Sequence, residues 1–230
     1  MIKSGIDQEA IVKMFTEATA KQGEALRKRV SEATLKALQG RELTMENIKK
    51  VLKTVTTAAT AGAAHNASSP VDIEAMLTKA FAGMDSALLQ AVEAHRKALQ
   101  QFVDQGAGLQ EKQLKTALSN LEKMEDTFFD TVTKAVQGAG NVPMQGPWEH
   151  VLGAMKTKGT DTGAQAAKTV EQLLAQTRTA LREGRTAGAK TAQAMLESYS
   201  ALVSGVLIGM SEGLQGGASS KPTPSGSRKK

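Results

Sequence analysis

The chain has 230 residues, 40% of them hydrophobic but only 3% aromatic, and no cysteine, which excludes a disulfide framework and any Cys-ligated zinc or iron–sulfur site. An interior poor in aromatics and rich in Ala favours closely packed helices over a sheet, whose faces need Val, Ile, Tyr and Phe. The net charge of +6 divides into +4 over residues 1–66, −3 over 67–140, +1 over 141–220 and +4 over the last ten, so most of the basic excess is a tail.

Ile11, Phe15, Ala18, Gln22, Leu26, Arg29, Ala33 and Ala37 rise in steps of three and four. The spacing predicts one amphipathic helix from about Asp7 to Gln39, stopped by Gly40. Arg27, Lys28 and Arg29 stand midway along it with Glu24 and Glu32 in pairing range. They read either as a phosphate-contacting patch or as the solvated face of a charged helix. Thr44 is placed to cap a second helix carrying Ile48, Val51, Leu52, Val55 and Ala59. The small-residue run from Ala58 to Ala67 then reads as a fraying end and linker.

Ser69, Pro70, Asp72 and Glu74 mark the start of a third helix, with a capping hydroxyl, a proline in the first turn and acids at the positive end of the dipole. Gly106-Ala107-Gly108 ends it near Gln105. His95 lies on its apolar stripe and reads as a hydrogen-bonded or semi-exposed histidine, because His65 and His150 fall in other elements. A fourth helix, about Leu109 to Gln137, is expected to bury Leu114, Leu118, Leu121, Phe128, Val132 and Ala135. Its Glu122, Glu125, Asp126 and Asp130 form an acidic face without the Glu-x-x-His that a di-metal bundle uses.

The third and fourth helices repeat the first two at an offset of 66 residues. Leu77, Phe81, Met84, Leu88, Val92, His95, Leu99 and Val103 follow the first stripe position by position, and Leu114, Leu118 and Leu121 follow Ile48, Leu52 and Val55. This reads as a duplicated helical hairpin. Ala18, Gln22 and Ala33 become Met84, Leu88 and Leu99 in the second copy, so helix 71–105 is expected to be central and helix 7–39 to lie nearer the surface.

Residues 138–147, rich in Gly and Pro, form the best boundary, and Pro147-Trp148-Glu149 reads as the next helix start. Trp148, the only tryptophan, anchors this junction by packing or faces a partner. Lys158-Gly159-Thr160 has a superficial likeness to a phosphate loop, but lacks the Walker spacing and the preceding strand. A last helix is expected from about Asp161 to Leu214, on a narrow stripe that includes Val170, Leu173, Leu174, Thr177 and Leu181. Gly184 is a possible turn within it, making a degenerate third hairpin. From about Gly216 the chain has too little apolar content to fold.

The expected architecture is all-α: a bundle of long amphipathic helices built from a duplicated hairpin plus a C-terminal helical segment. The units are hairpin 1 (1–66), hairpin 2 (67–140), the C-terminal segment (141–215) and a disordered basic tail (216–230). No apolar run approaches the roughly 18–20 residues that span a bilayer, and Met1-Ile2-Lys3-Ser4 opens no secretory signal, so a cytoplasmic location is expected. No spacing supports a nucleophile–base set, a metal cluster or a cofactor loop. Catalytic, metal and cofactor-binding residues are therefore unassigned, no cofactor is expected, and the protein reads as a non-enzyme.

In its lack of Cys, its few aromatics, its Ala/Thr/Gln-rich helices such as Thr186 to Ser200, and its Lys/Pro/Ser tail from Lys221 to Lys230, the chain resembles the phasins. These are bacterial proteins that coat polyhydroxyalkanoate storage granules. The resemblance is one of composition and architecture, and it implies granule binding and self-association, with a homo-oligomer and a hydrophobic granule or lipid surface as partners. Phe15, Phe81, Phe102 and Trp148 are the candidate surface or partner contacts. An alternative is nucleic-acid or nucleoid binding, with Arg27, Lys28, Arg29, Lys221, Arg228, Lys229 and Lys230 as candidate phosphate contacts. A further alternative is an oligomeric scaffold whose stripes are covered by its own copies.

Overall fold

The computed structural model describes residues 7–17, 23–40, 42–66, 70–104, 111–140, 142–182, 203–208 and 210, by backbone alone at 70–71, 102–104, 111–115, 142 and 177–182. Within them lie α1 (Gln8–Thr16), α2 (Gly23–Gln39), α3 (Met45–Ala64), α4 (Pro70–Asp104), α5 (Glu111–Glu122), α6 (Met124–Gly138), α7 (Val142–Lys158) and α8 (Asp161–Arg182). Residues 203–208 are also helical. The fold is all-α.

Local chemistry sets several of these ends. The Ala10 N–H donates to the Asp7 carboxylate (2.9 Å) at the start of α1, and the Asn47 N–H donates to the Thr44 hydroxyl (3.3 Å) at the start of α3. α2 stops at Gly40, whose N–H still donates to the Lys36 carbonyl (3.2 Å). α4 begins at Pro70, where a missing N–H removes no helical bond.

α4 is the axis. Met76, Leu77, Phe81, Met84, Leu88, Val92 and Leu99 are all buried along it, and α2, α8, α7 and α3 pack against it, α2 most extensively. One hydrophobic core runs from Ile11 through to Leu207 and draws on all three predicted segments. The elements at the 66-residue offset do not close into two matching hairpins. α2 rests mainly on α4, and α3 rests mainly on α1 and α6, so the halves interleave.

Four expected boundaries differ. The helix expected over 7–39 is two helices, because α1 ends at Thr16. There the Asn66 side chain donates to the carbonyls of Phe15 (2.8 Å) and Thr16 (3.3 Å), replacing the helical N–H groups that a continuous helix would supply. The run expected to fray instead continues α3 to Ala64, with Ala58, Ala59, Thr60, Gly62 and Ala63 buried. It is a helix crossing: a Cβ on Gly62 would lie 2.5 Å from Phe15 Cβ and 2.6 Å from the Val12 carbonyl oxygen, so only glycine lets α1 approach this closely.

The helix expected over 109–137 is interrupted at Lys123, between α5 and α6. Finally, α7 starts at Val142 rather than at Pro147, which lies inside the helix. A proline there removes only the bond to the carbonyl of Pro143, an exposed residue in the first turn where water can take its place. Gly140, at φ +66°, makes the turn before it. The expected cap Ser69, the stop at Gly106–Gly108, the side chain of Leu114, the possible turn at Gly184, the stretch from 183 to 202 and the tail 216–230 lie outside the described residues.

Candidate functional site

Three of the four aromatic candidates are core residues. Phe15 and Trp148 are fully buried and Phe81 nearly so, so in this fold none of the three is presented to a surface. Phe81 stacks on Phe128 (centroids 4.4 Å apart) and lies 5.4 Å from Phe129, tying α4 to α6. Trp148 projects from α7 against α3, where its Nε1–H donates to the Thr60 hydroxyl (2.9 Å), which in turn donates to the Thr56 carbonyl (2.8 Å). The amphipathic pattern marks such rings as apolar-facing but does not say what covers them. The side chain of Phe102 lies outside the described residues.

Arg27, Lys28 and Arg29 occupy the exposed face of α2, opposite the buried Leu26 and Val30. Arg27 pairs with Glu24 (3.7 Å) and Lys28 with Glu32 (4.0 Å), one turn away on the same helix. Glu24 also reaches Lys79 on α4, and that ammonium holds its carboxyl below the ordinary range. Arg29 borders a cleft of about 450 Å³ between α1 and α2, with Asp7, Met14, Glu32 and Lys36. Lys221, Arg228, Lys229 and Lys230 lie outside the described residues.

A second basic surface lies elsewhere. Lys49, Lys50 and Lys53 of α3 meet Lys134 of α6 around a groove of about 360 Å³ that also includes Glu46, Thr127, Asp130 and Thr131. Glu46 is engaged with Lys50 (2.6 Å). Sequence spacing shows the three α3 lysines as an ordinary charged face. Only the packing of α3 on α6 adds the fourth.

His95 borders a cavity of about 160 Å³ with Leu43, Thr44, Met45, Asn120, Leu121 and Met124. Burial in these largely apolar surroundings holds its imidazole down, to about 4 from the usual 6.5, so it is neutral near pH 7. The Leu43 N–H beside the cavity donates to the Ser204 hydroxyl (3.2 Å), which joins the C-terminal segment to the α2–α3 connection.

The most elaborate polar arrangement surrounds the start of α8. Asp85, buried on α4, accepts from the Asp161 N–H (3.0 Å) and the Thr162 N–H (3.1 Å), while the Thr162 hydroxyl donates to the Asp85 carbonyl (2.9 Å). Glu125 of α6 accepts from both the N–H (2.9 Å) and the hydroxyl (2.7 Å) of Thr160. Thr160 itself accepts from the Gly163 N–H (2.9 Å), as an N-cap does. Burial pushes the Asp85 carboxyl above its usual range, against the Thr162 and Asp161 hydrogen bonds that pull it down.

The stretch that superficially resembled a phosphate loop therefore does gather backbone N–H groups, but two of the protein's own carboxylates occupy the place of an anion. Asp85 had one sequence signal: it stands four residues after Phe81 within an apolar stripe. An acid in that place needs a buried donor.

Among the described residues no group of three or more His, Cys, Asp or Glu could hold a metal ion, and no helix is long and apolar enough to cross a membrane. No curated protein and no solved structure matches the chain. Residues 1–216 match the family DUF6781, described as a family of unknown function, and the chain belongs to it.

Proposed function

We propose that this protein is a non-enzymatic helical binding protein of the bacterial cytoplasm that associates with itself and with hydrophobic granules, as the phasins do. One observation supports the reading. Among the described residues the large apolar side chains left exposed are Leu174 and Ile208, and both belong to the C-terminal segment. Around Leu174, α8 keeps Lys168, Glu171 and Gln172 in solvent and turns Ala166, Val170 and Leu173 inward. A helix of this pattern can lie in an interface with its apolar side down and its charges in water once that side leaves the bundle. The contact is accordingly assigned to this segment, not to Phe15, Phe81 or Trp148.

The test is sedimentation of the purified full chain with polyester particles, beside a fluorescent fusion in the native cell. The expected results are granule-shaped fluorescence, and a bound fraction that falls at least about fivefold in a Leu174→Glu, Ile208→Glu double variant with unchanged helicity. Diffuse fluorescence with no sedimentation would overturn the reading.

The groove of Lys49, Lys50, Lys53 and Lys134 favours a second reading, the binding of a nucleic-acid backbone. It is checked by the salt dependence of DNA binding, whose log–log slope should fall by about 2 in a Lys53→Gln, Lys134→Gln variant. An absence of DNA binding at low salt would remove it.

A further inference from the structure

The start of α8 is held by directional bonds from two different helices, Asp85 on α4 and Glu125 on α6, whereas its packing along α4 is less extensive than that of α2. Beyond the first turn, the described side chains of α8, up to residue 176, that are buried are Ala166, Thr169, Val170 and Leu173. Only two of these four have large apolar side chains, and the Thr169 hydroxyl is buried without a hydrogen-bond partner. One further polar link joins Gln165 to Glu93 of α4. The chain enters α8 through Gly159, at φ +77°, with no atom near enough to restrain a side chain there. The two carboxylates also sit at the positive end of the α8 dipole, so their charge and their lone pairs act on the same few atoms.

We infer that α8 is a latched arm: the carboxylates of Asp85 and Glu125 hold its first turn on the bundle, and breaking those bonds lets α8 swing about Gly159 while α1–α4, α6 and α7 stay folded, freeing Val170 and Leu173 to join Leu174 on a hydrophobic surface. The inference rests on the surface-binding reading above and adds its control. Such an anchor suits a switch, because directional bonds are lost over a short displacement, whereas an apolar contact weakens gradually with area.

Two substitutions open the latch by different routes in the full chain. Gly163→Ala puts a methyl group where the Glu125 carboxylate lies, which drives that carboxylate off Thr160. Asp85→Asn keeps the shape but leaves one acceptor for two N–H groups. Hydrogen exchange is measured on wild type and both variants, together with sedimentation on polyester particles. In each variant the amides of residues 165–176 should exchange at least about threefold faster, through an opening of lower free energy than that of the α2, α3 and α4 amides, and the bound fraction should rise.

Unchanged exchange in α8 would overturn the inference, as would α8 amides that open with the same free energy as those of α2–α4. Wild-type binding with no gain in the variants removes the latch and leaves the surface reading standing. If neither wild type nor the variants bind the particles, both fall.

Discussion

α2 and α8 both lie along α4, and they are held there by opposite means. At the α2 contact the fit is one of shape. A Cβ on Gly83 of α4 would lie 2.6 Å from the Arg27 carbonyl oxygen and 2.9 Å from Val30 Cβ, so the two backbones nearly touch. Leu26, Val30, Leu35 and Leu38 are buried along that helix. At the α8 contact polar bonds at one end are added to a smaller apolar patch of Ala166, Val170 and Leu173. Close packing spreads stability over many small attractions, while a buried carboxylate concentrates it in a few atoms that must all be satisfied together. The first kind of contact belongs to the cooperative core. The second can open on its own.

The largest effect should come from the core on the first side of this comparison. Phe81→Ala removes the ring that stacks on Phe128 and should destabilise the whole protein by about 3–5 kcal/mol, read as a lower denaturant midpoint at unchanged slope. A loss below about 1 kcal/mol would show that α4 is not the axis.

Acid comes next. The His95 pKa is depressed in the folded state, to about 4 from 6.5, so the unfolded chain takes up the proton first. Stability is full above pH 6.5 and is lost as pH falls toward 4, by roughly 2–3 kcal/mol. Asp85 acts with the opposite sign, since its raised carboxyl holds a proton to higher pH in the fold than in the unfolded chain. His95→Gln should therefore flatten the decline between pH 6.5 and 4, as followed by urea unfolding at each pH. An unaltered profile would remove His95 as its source.

A pair of glycine substitutions sharpens the contrast directly. Gly83→Ala forces α2 from α4 and should lower global stability by about 1–3 kcal/mol. Gly163→Ala should lower it by less than about 1 kcal/mol, since a displaced carboxylate on α6 reaches water. Equal losses in the two variants would erase the distinction. The smallest effect is expected at Asn66→Ala, about 1 kcal/mol, with faster exchange confined to α1, whose last carbonyls Asn66 holds.

The apolar periodicity made much of the bundle legible. The Thr44 cap, the stop at Gly40, the Pro70 start and the central place of α4 all follow from side-chain type and spacing. What escaped it were contacts made by small or polar residues. Ala58 to Ala63 carries no strong apolar signal, yet it is where α1 crosses α3, because Gly62 admits a backbone rather than a side chain. The break after Thr16 depends on Asn66, fifty residues away, which no local pattern reveals. The stripe marked Phe15 and Phe81 as apolar-facing, but burial depends on what packs above them. The carboxylate anchor was least legible of all, because Asp85, Glu125 and Thr160 are on three separate elements.

The most direct measurement is native-state hydrogen exchange of the full chain across a series of sub-denaturing urea concentrations. If shape holds α2 and a polar latch holds α8, the α8 amides will exchange through a smaller opening, with a lower free energy and a shallower urea dependence than those of α2 and α4. If all three helices merge onto one line from the lowest urea upward, α8 is as much a part of the cooperative core as α2, and the distinction between the two contacts is wrong.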